Sequence, residues 1–429
     1  MRGAVFAAES SSTEAESKPG STNWNWHAQA TGIVQYHPGF STDHSGPNSL
    51  SAANEVRETL SVDLMAGARL WRGAEAHVDG LMWQGNGFSD TRGVDGFPNG
   101  EAFRLGTDSP NVNLSRVFIR QTIGLGGTTE SVEDGPFQLA GQQDVSRVTL
   151  TAGRFSAKDI FDNNAYANDP RTQFMNWALM ANEAWDYPAD SLGFTTGLAA
   201  ELNQPQWSLR YGFFQVPKYS NGVNQDQNYL NAWAMVTELE VRYAVHGHPG
   251  ATRVMAYVNR ANMGDYSKAV NSPIRPVAIQ ATRDYRTKYG FGLNSEQELI
   301  KGLGAFLRLG WSDGETEAWM FSDVDMSASM GLSLKGDRWS RPEDTVGLAV
   351  AANAISQDHK DFLAAGGTGI LAGDDSLNYG WEGILESYYD VQIWRNLHGA
   401  FDYQFINNPA FNKDRGPVSV FGARLHWAF

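Results

Sequence analysis

The chain has 429 residues, no cysteine and a formal net charge of −15. Without cysteine there are no disulfide staples or thiolate metal sites, and an acidic balance with no basic run excludes nucleic acid as a partner. No stretch approaches the ~18 to 20 consecutive apolar residues of a membrane helix, so any membrane crossing must use strands, whose inward polar residues dilute each apolar face.

Forty-five glycines, 12% aromatic residues and the lack of heptads favour β over α structure. Residues 1–21 read as a disordered lead-in, because Glu9 to Ser21 is rich in Ser, Glu and Thr and contains Lys18-Pro19-Gly20. The apolar scrap Met1 to Ala8 is shorter than the core of an export signal, so export requires a signal that this start does not show. Residues 22–429 are expected to form a single barrel domain.

Successive strand residues point to opposite faces, and Trp24 to Tyr36 alternates in this way. Trp24, Trp26, Ala28, Ala30, Gly32, Val34 and Tyr36 share one face against Asn25, His27, Gln29, Thr31 and Gln35, with Ile33 the intruder. After a polar loop, Glu55 to Arg69 sets Val56, Leu60, Val62 and Leu64 against Arg57, Thr59, Ser61, Asp63 and Arg69. A tight turn leads into Ala74 to Trp83, whose polar face is Glu75, His77 and Asp79. In Asn113 to Gly124, Arg116, Phe118, Arg120 and Thr122 oppose Val117, Ile119 and Ile123.

Twelve further strand-like segments follow, near 145–156, 193–203, 207–217, 231–246, 250–262, 289–299, 303–312, 325–335, 345–356, 381–394, 397–406 and 417–429. Their connections alternate between short and long, except that 125–144 is long where a short turn is due. Phe174 to Met180 also reads as a strand, which makes seventeen. A barrel with both ends on the periplasmic side needs an even number, so this segment is assigned to the third long loop. The result is sixteen strands, seven turns on one rim and eight loops on the other. A soluble lectin or β-rich hydrolase would also alternate, but with polar outward faces and small turns at both ends. The last strand, Val418 to Phe429, sets Phe421, Ala423, Leu425, Trp427 and Phe429 against Val420, Gly422, Arg424, His426 and Ala428.

Four blocks carry a resemblance. They are G-R-F-S-A-K-D-I-F-D-N-N-A-Y-A-N-D-P-R-T-Q-F-M-N-W at 153–177, R-V-F-I-R-Q-T-I at 116–123, P-E-D-T-V-G-L-A at 342–349 and D-R-G-P-V-S-V-F-G-A-R-L-H at 414–426. With these blocks the chain, from about Trp24 to Phe429, resembles the carbohydrate-selective porins of the OprB type. The resemblance implies an all-β transmembrane antiparallel barrel of sixteen strands in the bacterial outer membrane, through which sugars diffuse passively. The implied partners are carbohydrate solutes and outer-membrane lipid. The aromatic C-terminal strand ending at Phe429 resembles the assembly signal of outer-membrane barrels, which adds the barrel assembly machinery. No cofactor is implied.

A sugar offers vicinal hydroxyls and C–H patches, which call for planar charged donors and acceptors and for aromatic faces. Each contact must also release its solute. Three groups of residues fit these demands. The inward faces of the second to fourth strands present Arg57, Arg69, Glu75, His77, Asp79, Arg116 and Arg120, with Trp83 at the rim. The third long loop, 157–192, is expected to fold inward and narrow the pore, bringing Asp159, Asp162, Asn163, Asp169 and Arg171, along with Lys158, Asn164, Asn168, Trp177 and Trp185. Strand parity points a looser set inward: Glu201, Arg210, Glu238, Glu240, Arg242, Arg308, Glu382 and Glu386. Arg57, Arg69, Arg116 and Arg120 are expected to form one wall opposed by carboxylates, giving a transverse field. The nine histidines make no metal spacing, and there is no G-x-S-x-G elbow or P-loop. The reading is therefore a pore without catalysis. A glycan-binding or enzymatic barrel with a plugged lumen is the alternative.

Overall fold

The computed structural model describes residues 21–102 and 106–429. The expected disordered lead-in lies, up to residue 20, outside the described residues. Sixteen strands close into one antiparallel barrel. They are β1 Trp24–His37, β2 Glu55–Trp71, β3 Ala74–Gly85, β4 Thr107–Gly124, β5 Arg147–Phe155, β6 Thr195–Asn203, β7 Trp207–Phe214 and β8 Trp233–Val245. The circuit continues with β9 His248–Met263, β10 Asp284–Ile300, β11 Leu303–Ser312, β12 Met326–Gly336, β13 Arg341–Ala354, β14 Glu382–Trp394, β15 Leu397–Asn407 and β16 Val418–Ala428.

Each strand pairs with its sequence neighbour, and β16 returns to β1 with Leu425 opposite Gly32 and Phe421 opposite Tyr36. Closure pairs the terminal strands' ladders with each other and removes the edge that an open sheet would present. Side-chain burial follows the parity read from the sequence. In β16 Phe421, Leu425 and Trp427 are exposed, whereas Arg424 and His426 are buried inside. The barrel thus turns its apolar side out and its polar side in, the reverse of a soluble sandwich. Tryptophans gather near the rim that carries both chain ends, where Trp24, Trp26, Trp71, Trp394 and Trp427 are exposed and Trp26 packs on Phe429 at 5.0 Å. Aromatic belts of this kind suit the boundary between hydrocarbon and water.

Several strands start earlier than their periodicity suggests: β4 at Thr107, β10 at Asp284 and β13 at Arg341. These extensions stand beyond the apolar band, where both faces are polar and alternation carries no signal. Phe174 to Met180 is not a strand. It has no ladder partner, and its second half forms a short helix, α1 Trp177–Met180, capped by the Asn176 side chain accepting the Ala178 N–H.

The loops on one rim include L2 (86–106) and L3 (156–194). L3 enters the barrel and carries its own aromatic core, in which Phe161, Trp177, Trp185 and Tyr187 pack with Phe155 and Phe214 of the wall. From L2, Phe97 stacks on Trp177 at 4.9 Å. Helices α2 Tyr266–Asn271 and α3 Gln357–Ala364 pack together in the loops above, with Tyr266 stacked on His359 at 4.2 Å.

The outward band yields a depth-dependent prediction. Leu348 is exposed at the centre of β13, so Leu348→Arg should cost ~2 to 4 kcal/mol, whereas Val245→Arg at the rim end of β8 should cost only ~0 to 1 kcal/mol. Reversible unfolding in lipid vesicles, read by tryptophan fluorescence, checks the ratio. Equal costs at both positions would contradict a lipid-facing band.

Candidate functional site

L3 is built to lie inside the barrel. Its backbone has no ladder, so each buried N–H or C=O needs another partner. The wall supplies them. Glu386 accepts the N–H groups of Met175 and Asn176 at 2.6 and 2.9 Å. Glu238 accepts Asp162 N–H at 2.8 Å, and Glu296 accepts Ala165 N–H at 2.6 Å. Arg424 donates to the carbonyls of Pro170 and Gln173, and Arg308 to those of Leu179 and Asp162. The Asp169-Pro170 pair sets a tight turn in which Asp169 Oδ1 accepts Arg171 N–H at 2.9 Å. L3 therefore crosses the lumen from β4 to β14 and β16 and does not rest over the mouth.

Charge pairs fix its course. Arg116 on β4 donates to Asp79 of β3 at 2.8 Å and makes a bidentate pair with Asp159 of L3, both bonds at 2.8 Å. Its guanidinium lies 4.7 Å from the Phe137 ring centroid and 4.9 Å from that of Phe194. Asp162 accepts from Arg308 at 3.1 Å, Asn294 at 2.7 Å and the Asn182 N–H at 2.8 Å. Burial pushes the carboxyls of Asp159 and Asp162 up, but Arg116 beside the first, and Arg308 with Lys158 beside the second, hold both below the usual range. Burial pulls the Lys158 ammonium down to about 8, against the attraction of Asp162. Arg171 pairs with Asp63 of β2 at 2.7 Å and Glu101 of L2 at 2.9 Å, tying the two loops together.

The residues singled out from sequence thus separate into groups. Asp79, Arg116 and Asp159 meet, as do Lys158, Asp162 and Arg308; Asn163 donates to Ile160 O within the same turn. The single arginine wall does not form. Arg57 and Arg69 lie twelve residues apart on one strand, a span of about 40 Å. Arg57 pairs with Glu55 at the loop rim, and Arg69 sits 3.6 Å from Glu75 at the opposite rim. His77 is buried and stacked on Phe118 at 5.2 Å. Trp83 offers no open face at the rim, because it is buried with Leu81, Leu192 and Phe194. Arg120 donates to Phe137 O at 2.7 Å and makes no ion pair among the described residues. In the looser set, Arg210 joins Glu201, Glu238 and Glu240, and Glu240 is shared with Arg242 and Arg253. Glu382 and Glu386 face inward but are buried beneath L2 and L3 as acceptors of loop N–H groups.

L2 escaped the sequence reading. Its Asp95 and Glu101 sit in a polar loop with no periodicity, so nothing in the pattern points them inward. Asp63, already on a predicted polar face, was the available clue. Above L3 a knot of buried carboxyls joins four loops. Asp323 accepts the N–H groups of Ile370, Leu371 and Ala372, and Asp95 accepts that of Asp323 at 2.6 Å. Neither oxygen of Glu183 accepts a well-formed hydrogen bond, although the Asn353 amide lies beside it.

Comparison with known proteins completes the geometry. Residues 47–429 match the family described as carbohydrate-selective porin, OprB family. The chain belongs to that family. The porin is similar to the high-pH structure of Pseudomonas putida OprB, at 19% identity and a TM-score of 0.73, covering 95% of this chain and 94% of that one. It is also similar to the low-pH structure of that protein (15% identity, TM-score 0.52, 95% and 93% covered). The outer membrane channel DcaP of Acinetobacter baumannii matches at 10% identity and a TM-score of 0.51, over 95% of this chain and 97% of that one. At these identities the structures speak for the fold alone. No curated protein matches the chain. The porin is an outer-membrane β-barrel of a family that passes carbohydrate by passive diffusion.

The carboxyl knot predicts a pH dependence. Burial pushes Glu183 well above the ordinary 4.5 and Asp95 well above 3.8; Glu382 adds to the first, and Asp323, Glu382 and Glu183 to the second. The folded cap therefore binds more protons than the unfolded chain. Its stability is fully present below the ordinary carboxylate range and is lost as pH rises through the raised folded values. Glu183→Gln should leave the cap unchanged near pH 4 and protect it more than wild type at alkaline pH. Amide hydrogen exchange of peptides covering 93–97 and 320–325 measures this. Identical pH slopes in the two proteins would exclude Glu183 as the source.

Proposed function

We propose that a carbohydrate crosses this porin beside L3, through the part of the lumen lined by Arg120, Glu75, Glu201, Arg210 and Arg242, and that the chain has no catalytic role. The observation that carries this reading is the division of the lumen charges. Those under L2 and L3 pair with loop backbone and with each other, and Arg210 is likewise tied to Glu201, Glu238 and Glu240, whereas Arg120 has no carboxylate partner among the described residues. A guanidinium fork can donate to vicinal hydroxyls in pairs, and the opposed carboxylates can accept from them. Water ordered between fixed opposite charges resists an apolar solute, while a sugar replaces its hydrogen bonds hydroxyl by hydroxyl. Asp79, Arg116, Asp159, Asp162, Asn163, Asp169 and Arg171 then act by holding L3, and so the pore's width, in place. Arg57, at the loop rim with its side chain 41% exposed, is the first charge a solute meets. The exposed apolar band meets outer-membrane lipid, and the strand ending at Phe429 meets the barrel assembly machinery.

The rival reading, a plugged barrel that binds glycan without passing it, draws on the depth to which L2 and L3 fill the lumen. Liposome swelling separates the two. Wild-type protein should admit small neutral sugars at rates that fall with sugar size, and Arg120→Ala should fold normally yet lose part of the preference for sugars over polyols of equal size. Impermeable liposomes at high protein content would favour the plugged barrel.

A further inference from the structure

The connection between β4 and β5, residues 125–146, breaks the economy of its rim. The six other turns there span two to four residues. This one contains a small hairpin, with Thr129–Val132 paired to Gly141–Asp144 so that Thr129 faces Asp144 and Val132 faces Gly141. Its tip, 133–140, does not hang into the periplasm but folds up against the lumen wall. Asn25 Nδ2 of β1 donates to Asp134 Oδ1, Gly135 O and Gln138 O at 3.0, 2.9 and 3.0 Å. His27 Nε2 lies 3.0 Å from Asp134 Oδ2. Thr22 and Ala140 exchange two bonds, Thr22 N–H to Ala140 O at 3.1 Å and Ala140 N–H to Thr22 Oγ1 at 3.0 Å. At the top of the tip, Arg120 donates to Phe137 O at 2.7 Å, and the half-buried Phe137 ring sits by the Arg116 guanidinium at 4.7 Å. L3 reaches Arg116 from the opposite end of the barrel, through Asp159 and Phe194. One arginine is thus gripped from both sides of the membrane.

We propose that the tip 133–140 is a second carbohydrate subsite on the periplasmic side of the constriction, with the Phe137 ring as the platform for a sugar's C–H face and Arg120 as its hydroxyl donor. The inference rests on the reading above that sugars pass through this lumen. Three observations support it. Closing β4 onto β5 does not require the insertion, since six neighbouring turns close their strands without one. It is tethered by eight polar contacts rather than left to pack loosely. What it delivers into the lumen is a half-buried aromatic ring with Arg116 over it and Phe118 beside it at 6.1 Å, its carbonyl held by Arg120, which lacks a carboxylate partner among the described residues. An aromatic face beside a donor fork is the pairing that a pyranose binds.

The test is sugar block of ion current through single porins in planar bilayers, with maltose or a glucose oligomer added to one side at a time. Phe137→Ala should shorten sugar blocks by roughly 2- to 10-fold, most clearly for sugar added from the periplasmic side. Phe137→Trp should restore them. Replacing 128–143 by a two-residue turn should raise conductance and abolish the side-dependence. Heat-modifiable gel migration reports folding of each variant, and Phe137→Ala decides alone if the shortened turn does not fold. Wild-type block durations in both Phe137→Ala and Phe137→Trp, or no block at all in a wild-type protein that passes sugar, would overturn the subsite. A wild-type protein that passes no sugar in swelling assays overturns the conduction reading instead, and the subsite with it.

Discussion

Every buried backbone amide in this molecule must find a partner, and that requirement decides what the lumen looks like. The barrel satisfies its own sixteen strands by closing. L2 and L3, brought inside that closed ladder, have no strand to pair with. Their N–H groups are met by inward-pointing carboxylates, Glu386, Glu382, Glu238 and Glu296, and their carbonyls by Arg308 and Arg424. A hydrogen bond to a charged group contributes about 1.5 to 3 kcal/mol, and leaving a buried N–H unmet costs about 1 to 3 kcal/mol. With several such contacts along one loop, L3 has no competitive alternative position. The wall chemistry is therefore first a scaffold for loops and only second a surface for solutes.

This ordering explains part of the acidic balance. A carboxylate accepts two or three N–H groups at once, as Asp323 does for three consecutive residues of the seventh loop. Asp186 does the same for Trp319 and Met320. Such residues stand in for the β-ladder that the loops lack. Where they crowd without cations, as Glu183 and Asp95 do, the low dielectric favours the neutral acid over the anion, and the cap acquires a dependence on pH.

The barrel was legible in the sequence because period-two alternation is enforced by lipid on one side and water on the other. Sixteen strands, their order and their faces all follow from that one constraint, and a one-residue error in any of them would have exposed charge to the outside. The constraint stops at the rims, which is why Thr107 to Val112, Asp284 to Lys288 and Arg341 to Asp344 went unassigned. It is also silent inside. Parity sends Arg116, Arg308, Arg120 and Glu386 inward alike, yet Arg308 and Glu386 are buried under loops, Arg116 is locked between Asp79 and Asp159, and Arg120 has no carboxylate partner among the described residues. Which of these faces a solute depends on contacts 17 to 211 residues away in the chain, which no local pattern encodes. The length of 125–144 was visible as an anomaly, but its direction, into the lumen, was not.

A pore for neutral solutes has to hold strong charges without letting them bind anything strongly. Free arginines and carboxylates in a narrow lumen would capture anions, cations or each other. Here the strongest pairs are made permanently: Arg116 with Asp79 and Asp159, Arg171 with Asp63 and Glu101, and Arg253 with Glu240 and Glu296. Each pair is already neutralised and oriented, so what remains for a passing molecule is the unused hydrogen-bonding capacity of fixed dipoles. That capacity suits a hydroxyl, which is content with one or two modest bonds at each step, and it offers an ion little to replace its hydration. Rigid anchoring by L3 from one side, and by the hairpin turn from the other, keeps the pairs from relaxing onto the solute. On the passage proposed above, preference for uncharged polar molecules rests on committed pairs that hold L3 in place and on Arg120, left without a carboxylate partner among the described residues, and not on how many charges line the wall.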